Sequence, residues 1–415
     1  MTRKQLKVLL CGGSFSGNRG AEAMYDSVID ELSGYYDRID VAVLSKYPKD
    51  DKRGCDSRGY HLFPFSTVQQ LFFGGLFFLF GGVLKKLHLP YQWAAGKHLK
   101  PFFENDVLID ASGISFTDDR SFANVCINAL WFLPALISGI PTVKVSQSLG
   151  PFEKKYVKVL SKMVLSKIGV IICRGERSFH YTKAFLKRDR IFHCPDVAFC
   201  LKPCGKSQTR DLLNKYGIGQ DSFIAVGPSF VMRDFLDKGE YADMIANGIN
   251  RLSRMTDKAF VFVPHSWKHS DMIGVDSVSD DISVCREIMD KLNTDVKTVL
   301  IDERINAHEF KSIIGSSYMA IGSRFHFLIA ALSSGVPSMA LGWSHKYHEL
   351  FGEFGLEDLV IGYRDMDCDS VADLMEKLLS ERDTIKDRIN TELPDVIDRS
   401  KMNEKLIVEY LEGSL

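Results

Sequence analysis

Arg324 and His326 stand two residues apart in Ile321-Gly-Ser-Arg-Phe-His-Phe-Leu-Ile-Ala-Ala-Leu, the stretch of this 415-residue sequence best equipped for chemistry. A guanidinium offers a planar fork of donors that fits a carboxylate or phosphate bidentately. An imidazole two residues on can exchange a proton near neutral pH. The apolar run before the pair ends at Gly322, and Phe325, Leu328, Ala331 and Leu332 then recur at helical spacing. Both side chains are thus expected where a strand's carboxyl end meets a helix's amino end, whose unbonded N–H groups and dipole favour an anion. The same residues also fit a plain helix start with a structural arginine, a serine such as Ser323 being a common cap.

Basic residues recur at three other expected strand ends. His345 and Lys346 lie in Gly342-Trp-Ser-His-Lys-Tyr-His, Arg174 in Ile171-Ile-Cys-Arg-Gly-Glu-Arg, and His265 in Phe262-Val-Pro-His-Ser-Trp. Each alone is ordinary. Together they gather cations locally in a chain whose formal net charge is only -1, so the expected ligand is a small anion and not a polyanionic surface. Gly12-Gly-Ser-Phe-Ser-Gly-Asn-Arg-Gly-Ala-Glu-Ala is a glycine-rich strand-to-helix loop that would bring Asn18, Arg19 and Glu22 near a ligand, or simply make a tight capped turn. Two further strand-end loops carry Asp110, expected as a free carboxylate, and Gln147. No Walker loop, GxGxxG, GxSxG or HExxH pattern is present, and no basic–aromatic stripe of the kind nucleic acid requires.

The elements that must position these residues are legible as alternation. Leu6–Cys11, Ile39–Leu44, Val107–Ala111, Thr142–Ser146, Gly169–Cys173 and Asp196–Phe199 are short apolar runs in the first half; Phe223–Gly227, Ala259–Pro264, Thr298–Asp302, Tyr318–Gly322, Ser338–Leu341 and Asp358–Gly362 are those of the second. Unbroken apolar runs of this length predict parallel strands covered by helices on both faces. Two such sets, separated by the polar stretch from Pro203 to Gly219, predict an α/β protein of two Rossmann-like doubly wound domains with a cleft between them. The expected division is 1–204, 205–395 and a terminal helix, 396–415, packing back on the first domain. Nine scattered cysteines without a CxxC pair predict reduced core thiols in a cytoplasmic protein. Met1–Lys7 is polar and runs straight into an apolar strand, too short for a secretory signal core.

One segment departs from this pattern. Gly59–Leu84 is 26 residues without Asp, Glu, Lys or Arg; its centre, Leu71–Leu84, holds five Phe and ends on Lys85-Lys86. As a helix the centre would reach about 21 Å, short of a ~30 Å hydrocarbon core. Two readings stand: a buried helix or lid, and an interfacial patch at 71–86 that rests the protein peripherally on the inner face of the plasma membrane.

Taken in order, these motifs resemble the polysaccharide pyruvyl transferases over most of the chain. The resemblance rests on Gly17-Asn-Arg-Gly-Ala-Glu-Ala, Ser146-Gln-Ser-Leu-Gly-Pro, Cys173-Arg-Gly-Glu-Arg-Ser, Val263-Pro-His, Asp280-Asp281, Ser323-Arg-Phe-His, and the stretch from Gly335-Val-Pro to Lys346. It implies a GT-B-type pair of domains that moves the enolpyruvyl group of phosphoenolpyruvate onto two hydroxyls of one sugar. By the same resemblance His326 is the general acid, with Arg324 beside it. Arg174, Arg324, Phe325, His326, Lys346 and His265 would bind phosphoenolpyruvate; Asn18, Arg19, Glu22, Asp110 and Gln147 would meet the acceptor. The Phe-rich segment favours as acceptor a surface-polysaccharide precursor linked to polyprenyl diphosphate over a free sugar, and no cofactor or metal is expected. The alternative is a GT-B glycosyltransferase using a nucleotide sugar, whose diphosphate would sit on the same helix terminus; a sugar-binding relative without turnover is a third reading.

Overall fold

The computed structural model describes residues 5–66, 99–236, 239–267 and 280–414. The chain divides into two compact units. Met1–Ser16, Met24–Val197 and Arg399–Leu415 form the first; Gly17–Ala23 and Ala198–Asp398 form the second.

The first unit is built on β1 (Gln5–Cys11), β2 (Arg38–Ser45), β3 (His61–Pro64), β4 (Val107–Asp110), β5 (Ile114–Thr117), β6 (Thr142–Gly150), β7 (Val170–Cys173) and β8 (Ile191–His193). Their order is β3-β2-β1-β4-β6-β7-β8, with β5 beside β6, and the pairings are parallel. Val8–Leu10, Val107–Ile109 and Val170–Cys173 are fully buried, as strands covered on both faces require. The order reverses between β1 and β4, the point at which doubly wound sheets open a crevice at their carboxyl ends. The carboxyl-terminal residues return to this unit: Ser400 Oγ donates to the Asp196 carbonyl at 2.8 Å and Asn403 Nδ2 to that of Pro195 at 3.0 Å.

The second unit carries β9 (Phe223–Gly227), β10 (Ala259–Phe262), β11 (Thr298–Leu300), β12 (Met319–Gly322), β13 (Ser338–Gly342) and β14 (Val360–Gly362). Their order, β11-β10-β9-β12-β13-β14, is again parallel throughout and reverses between β9 and β12.

One expected strand is corrected. Asp196–Phe199 is not extended: Val197–Cys200 is a single 3-10 turn, and the edge strand is the shorter β8 before it. Val197, Ala198 and Phe199 are as buried as any strand, so an apolar run could not separate the two conformations. The centre of the Phe-rich segment, 71–86, lies outside the described residues. Among the described residues no helix is long and apolar enough to cross a membrane.

Candidate functional site

In the second unit β12 ends at Gly322 and the helix Phe325–Leu332 begins, with Arg324 itself in the extended cap position. The capping serine expected at position 323 does other work: its hydroxyl accepts from Tyr241 at 2.6 Å and its carbonyl from the Tyr347 hydroxyl at 2.9 Å. Arg324 is turned onto Asp281, the first residue of the helix Asp281–Met289. Its Nε donates to Asp281 Oδ2 at 2.8 Å and its Nη2 to Oδ1. The same carboxylate accepts the backbone N–H of Phe230 and of Ser266, each at 2.9 Å. Burial disfavours the guanidinium's charge, but Asp281 outweighs it and holds the arginine above its ordinary pKa. Asp281 thereby takes the Nε–Nη2 edge of the fork.

His326, in the first helical turn, lies against the segment Gly17–Ala23. A Cβ on Gly20 would overlap its ring, so only glycine leaves room for the imidazole. That segment is stitched to the residues after β10: Arg19 N donates to the His265 carbonyl at 3.2 Å, Trp267 N to the Gly17 carbonyl at 2.9 Å, and Asn18 bridges Ser266. Asn18, Arg19 and Glu22, expected on the acceptor side of the first domain, therefore belong to the second unit. The Asn18 side chain is a helix cap, accepting from Gly20 N and Ala21 N. Arg19 is buried, paired with Glu22 and donating to the Ile305 carbonyl at 2.9 Å.

His265 lies with its ring nearly parallel to that of His326, at 8° and 6.2 Å between centroids. Neither of its ring nitrogens has a hydrogen-bond partner among the described residues, although the residue is only 2 % exposed. Burial pushes its pKa well below the ordinary histidine value, and the charges of Arg324, His326 and Arg19 push the same way. It is a neutral imidazole at neutral pH. Arg19, His265, His326, Phe310 and Lys311 line one pocket. Among the described residues, no carboxylate lines it.

Lys346 opens the helix Lys346–Gly352. Its ammonium stands 4.0 Å from the centroid of Trp343, 5.3 Å from Tyr347 and 5.4 Å from Phe325, a cation held by ring faces. Phe325 is buried beside it, edge-on to both His326 and Tyr347.

Asp110, Gln147 and Arg174 belong to the first unit. Asp110 is not the free carboxylate expected: it is 2 % exposed, ion-paired with Lys144, and accepts from Ser112 N and Oγ, each at 3.1 Å. Lys144 projects from β6 between rings, 4.4 Å from the centroid of Phe132 and 5.5 Å from Phe116. Gly12, at φ +88°, lies so close to Asp110 and Ser112 that no side chain fits there. The β6–β7 register shifts between Lys144 and Gln147, and Ser146 takes a left-handed φ of 51°. Past this bulge the Gln147 amide donates to the Val145 and Asp110 carbonyls and accepts from Ser112 and Ser115. Arg174 bonds Asp196 at 2.9 Å.

Lys144 and Lys311 had no signal in the sequence as site residues, and Asp281 stood out there only as part of the Asp280-Asp281 pair, not as the partner of Arg324. Lys144 sits in a buried strand, Asp281 opens a helix far from Arg324 along the chain, and Lys311 lies in a helix whose other buried residues are Ala307, Phe310, Ser312, Ile313 and Ile314. Each becomes visible only when its partner is placed.

The fold has solved counterparts. The UDP-GlcNAc 2-epimerase of Neisseria meningitidis, bound to UDP-GlcNAc, matches 99% of this chain and 100% of its own, at a TM-score of 0.62 and 14% identity. HepE of Anabaena, in complex with UDP and glucose, matches 98% of this chain and 100% of its own at 0.57 and 12%. At such identities the likeness is one of fold: two parallel-sheet α/β domains of GT-B-like type. Among curated proteins, the amylovoran biosynthesis protein AmsJ of Erwinia amylovora is 22% identical over 92% of this chain and 94% of its own length. Comparison with protein families matches residues 18–345 to the polysaccharide pyruvyl transferases, a span that runs from Asn18 through Arg324 and His326 to His345. The chain belongs to the polysaccharide pyruvyl transferase family.

Proposed function

We propose that this transferase moves the enolpyruvyl carbons of phosphoenolpyruvate onto two hydroxyls of one sugar in an exopolysaccharide precursor, leaving a cyclic pyruvate ketal and inorganic phosphate. The observation that carries the donor assignment is the pocket in which Arg19, His265, His326 and Lys311 converge without a carboxylate. A donor bearing both a carboxylate and a phosphate needs two cationic anchors and a nearby acid. Arg19, lining that pocket, suits the donor better than the acceptor; Arg324, Lys346, Phe325 and Arg174 are the other donor contacts assigned. Asn18, Glu22, Asp110 and Gln147 are assigned to the acceptor.

His326 protonates the methylene carbon, creating an oxocarbenium-like centre at the neighbouring carbon. One sugar hydroxyl bonds to that carbon and gives its proton back to His326. The second hydroxyl then forms the other C–O bond as the C–O bond to phosphate breaks, phosphate leaving with the electron pair and taking up that hydroxyl's proton. His265, neutral beside His326, can accept or donate one hydrogen bond without adding charge. The Phe-rich segment supports a lipid-linked oligosaccharide as acceptor.

Incubating the protein with phosphoenolpyruvate and a panel of sugar and polyprenyl-diphosphate-linked acceptors tests this directly. A mass gain of one pyruvyl ketal with equimolar phosphate is expected. Nucleotide release from a nucleotide sugar, without phosphoenolpyruvate turnover, would instead identify a glycosyltransferase.

Gly20→Ala probes the placement of His326. The added methyl must push the imidazole aside, costing about 1–3 kcal/mol in stability. A shift of an ångström at the acid is expected to lower turnover roughly a hundredfold, read as phosphate release alongside thermal unfolding. Unchanged turnover would detach His326 from the chemistry.

A further inference from the structure

We propose that Lys311 is a direct contact for the donor's anionic group, a ligand of the pocket lying outside the Arg324–His326 motif; the proposal rests on the pyruvyl-transfer reading of that pocket.

The helix Ala307–Gly315 turns Ala307, Phe310, Ile313 and Ile314 inward, the ordinary residues of a buried face. Lys311 shares that burial at 4 % exposure. An ammonium taken out of water is costly unless its donors are met and its charge is offset. Its Nζ donates to the Leu201 carbonyl at 2.6 Å and, more weakly, to that of Phe199 at 3.4 Å. An ammonium has three donors, and Lys311 lines the pocket that Arg19, His265 and His326 also line.

The titratable groups that line the pocket with it are basic, and the nearby carboxylates are engaged elsewhere, Glu22 with Arg19 and Glu309 at the helix start. Arg19 comes from the helix Arg19–Leu32 with its charge already met by Glu22, His265 from the loop after β10, and His326 from the helix Phe325–Leu332. Cys200 faces it from the 3-10 turn, and His308 and Glu309 flank it on its own helix, His308 bonding the Lys202 carbonyl and Glu309 capping the helix start. No salt bridge holds Lys311 among the described residues. A cation gathered with other basic groups, hydrogen-bonded only to carbonyls, lacks the counter-charge that a bound phosphate or carboxylate supplies.

Burial pulls the ammonium down to about 8 from its ordinary value. The cation is present below that pH and lost above it. Anion affinity should therefore fall as pH rises through 8. Stability should move the other way between about 8 and the ordinary lysine value, because there the unfolded chain holds a proton the folded one does not. A mere tie to the 199–201 carbonyls predicts the stability change without the affinity change.

The test uses the full chain and sulfate, a tetrahedral dianion whose charge is constant over this range, with binding read from pH 6.5 to 9.5 by calorimetry. Wild type is expected to lose sulfate affinity across pH 8. Lys311→Met is expected to bind sulfate about tenfold or more weakly at pH 7, the loss of one charge-assisted hydrogen bond, and to show no alkaline fall. Lys311→Arg should bind at pH 9.5 as it does at pH 7. Wild-type-like affinity and pH profile in Lys311→Met would overturn the proposal, as would a flat wild-type profile, which decides the matter even if the Met variant does not fold. Phosphoenolpyruvate turnover by wild type is measured in parallel. Its absence, with sulfate binding and the alkaline fall intact, removes the pyruvyl reading and leaves the anion contact; its presence with Lys311→Met unaffected in KM removes only the contact.

Discussion

The His326→Gln variant is expected to keep its fold and lose roughly a hundred- to ten-thousand-fold in turnover, the contribution of a positioned general acid. Glutamine matches the ring's reach and still hydrogen-bonds, but it has no proton to give to carbon. On the proposed reading the donor's KM should change little, because Arg19, Lys311 and Arg324 would hold the anion while His326 supplies the proton. Phosphate release from phosphoenolpyruvate measures kcat and KM separately, and thermal unfolding measures the fold. A pure KM effect would make His326 an anchor and send the search for the acid elsewhere in the pocket. Retained turnover would remove it from the chemistry altogether.

Loss of Asp281 should be the most damaging change to the fold of the second unit. Its carboxylate is fully buried and accepts four hydrogen bonds, two from Arg324 and one each from the N–H groups of Phe230 and Ser266. Asp281→Ala leaves the largely buried guanidinium without its counter-charge, a defect worth about 3–5 kcal/mol. The companion experiment is the double variant Asp281→Leu with Arg324→Met. Replacing both members of a buried pair with apolar groups of similar volume is often neutral, so stability should recover towards wild type. Donor turnover should not recover, because the cation is gone. If the double variant were as unstable as Asp281→Ala, the damage would lie with the orphaned N–H groups of residues 230 and 266 and not with the ion pair. Denaturant unfolding followed by a probe in the second unit separates these outcomes.

The strand pattern was readable because parallel strands buried on both faces are unbroken apolar runs, and eleven of the twelve expected runs contain or overlap observed strands. The exception, Asp196–Phe199, is equally apolar, and only its hydrogen bonding distinguishes a 3-10 turn from a strand. The short β3, β5 and β8 carried too few residues to show a period. The 71–86 reading stays where the sequence left it, outside the described residues.

The site shows the same division. Residue type and spacing alone picked out Arg324, His326, His265, Lys346 and Arg174, because a cation or imidazole after an apolar run and before a helix is a local pattern. What each of them touches was not local. Asp281 takes one edge of the Arg324 fork from 43 residues away, and Lys144 turns Asp110 from a free carboxylate into half of an ion pair. The segment around Arg19 follows β1 in sequence yet joins the second unit, because its backbone bonds to residues 265–267. Lys311 was invisible beforehand, since one lysine on a helix reads as solvent-facing until the pocket around it exists. Sequence by itself determined the chemistry available and the sheets that carry it. Tertiary structure decided which charges are already spent on one another and which stand together without a counter-ion, because pairing depends on distances that only the folded chain sets.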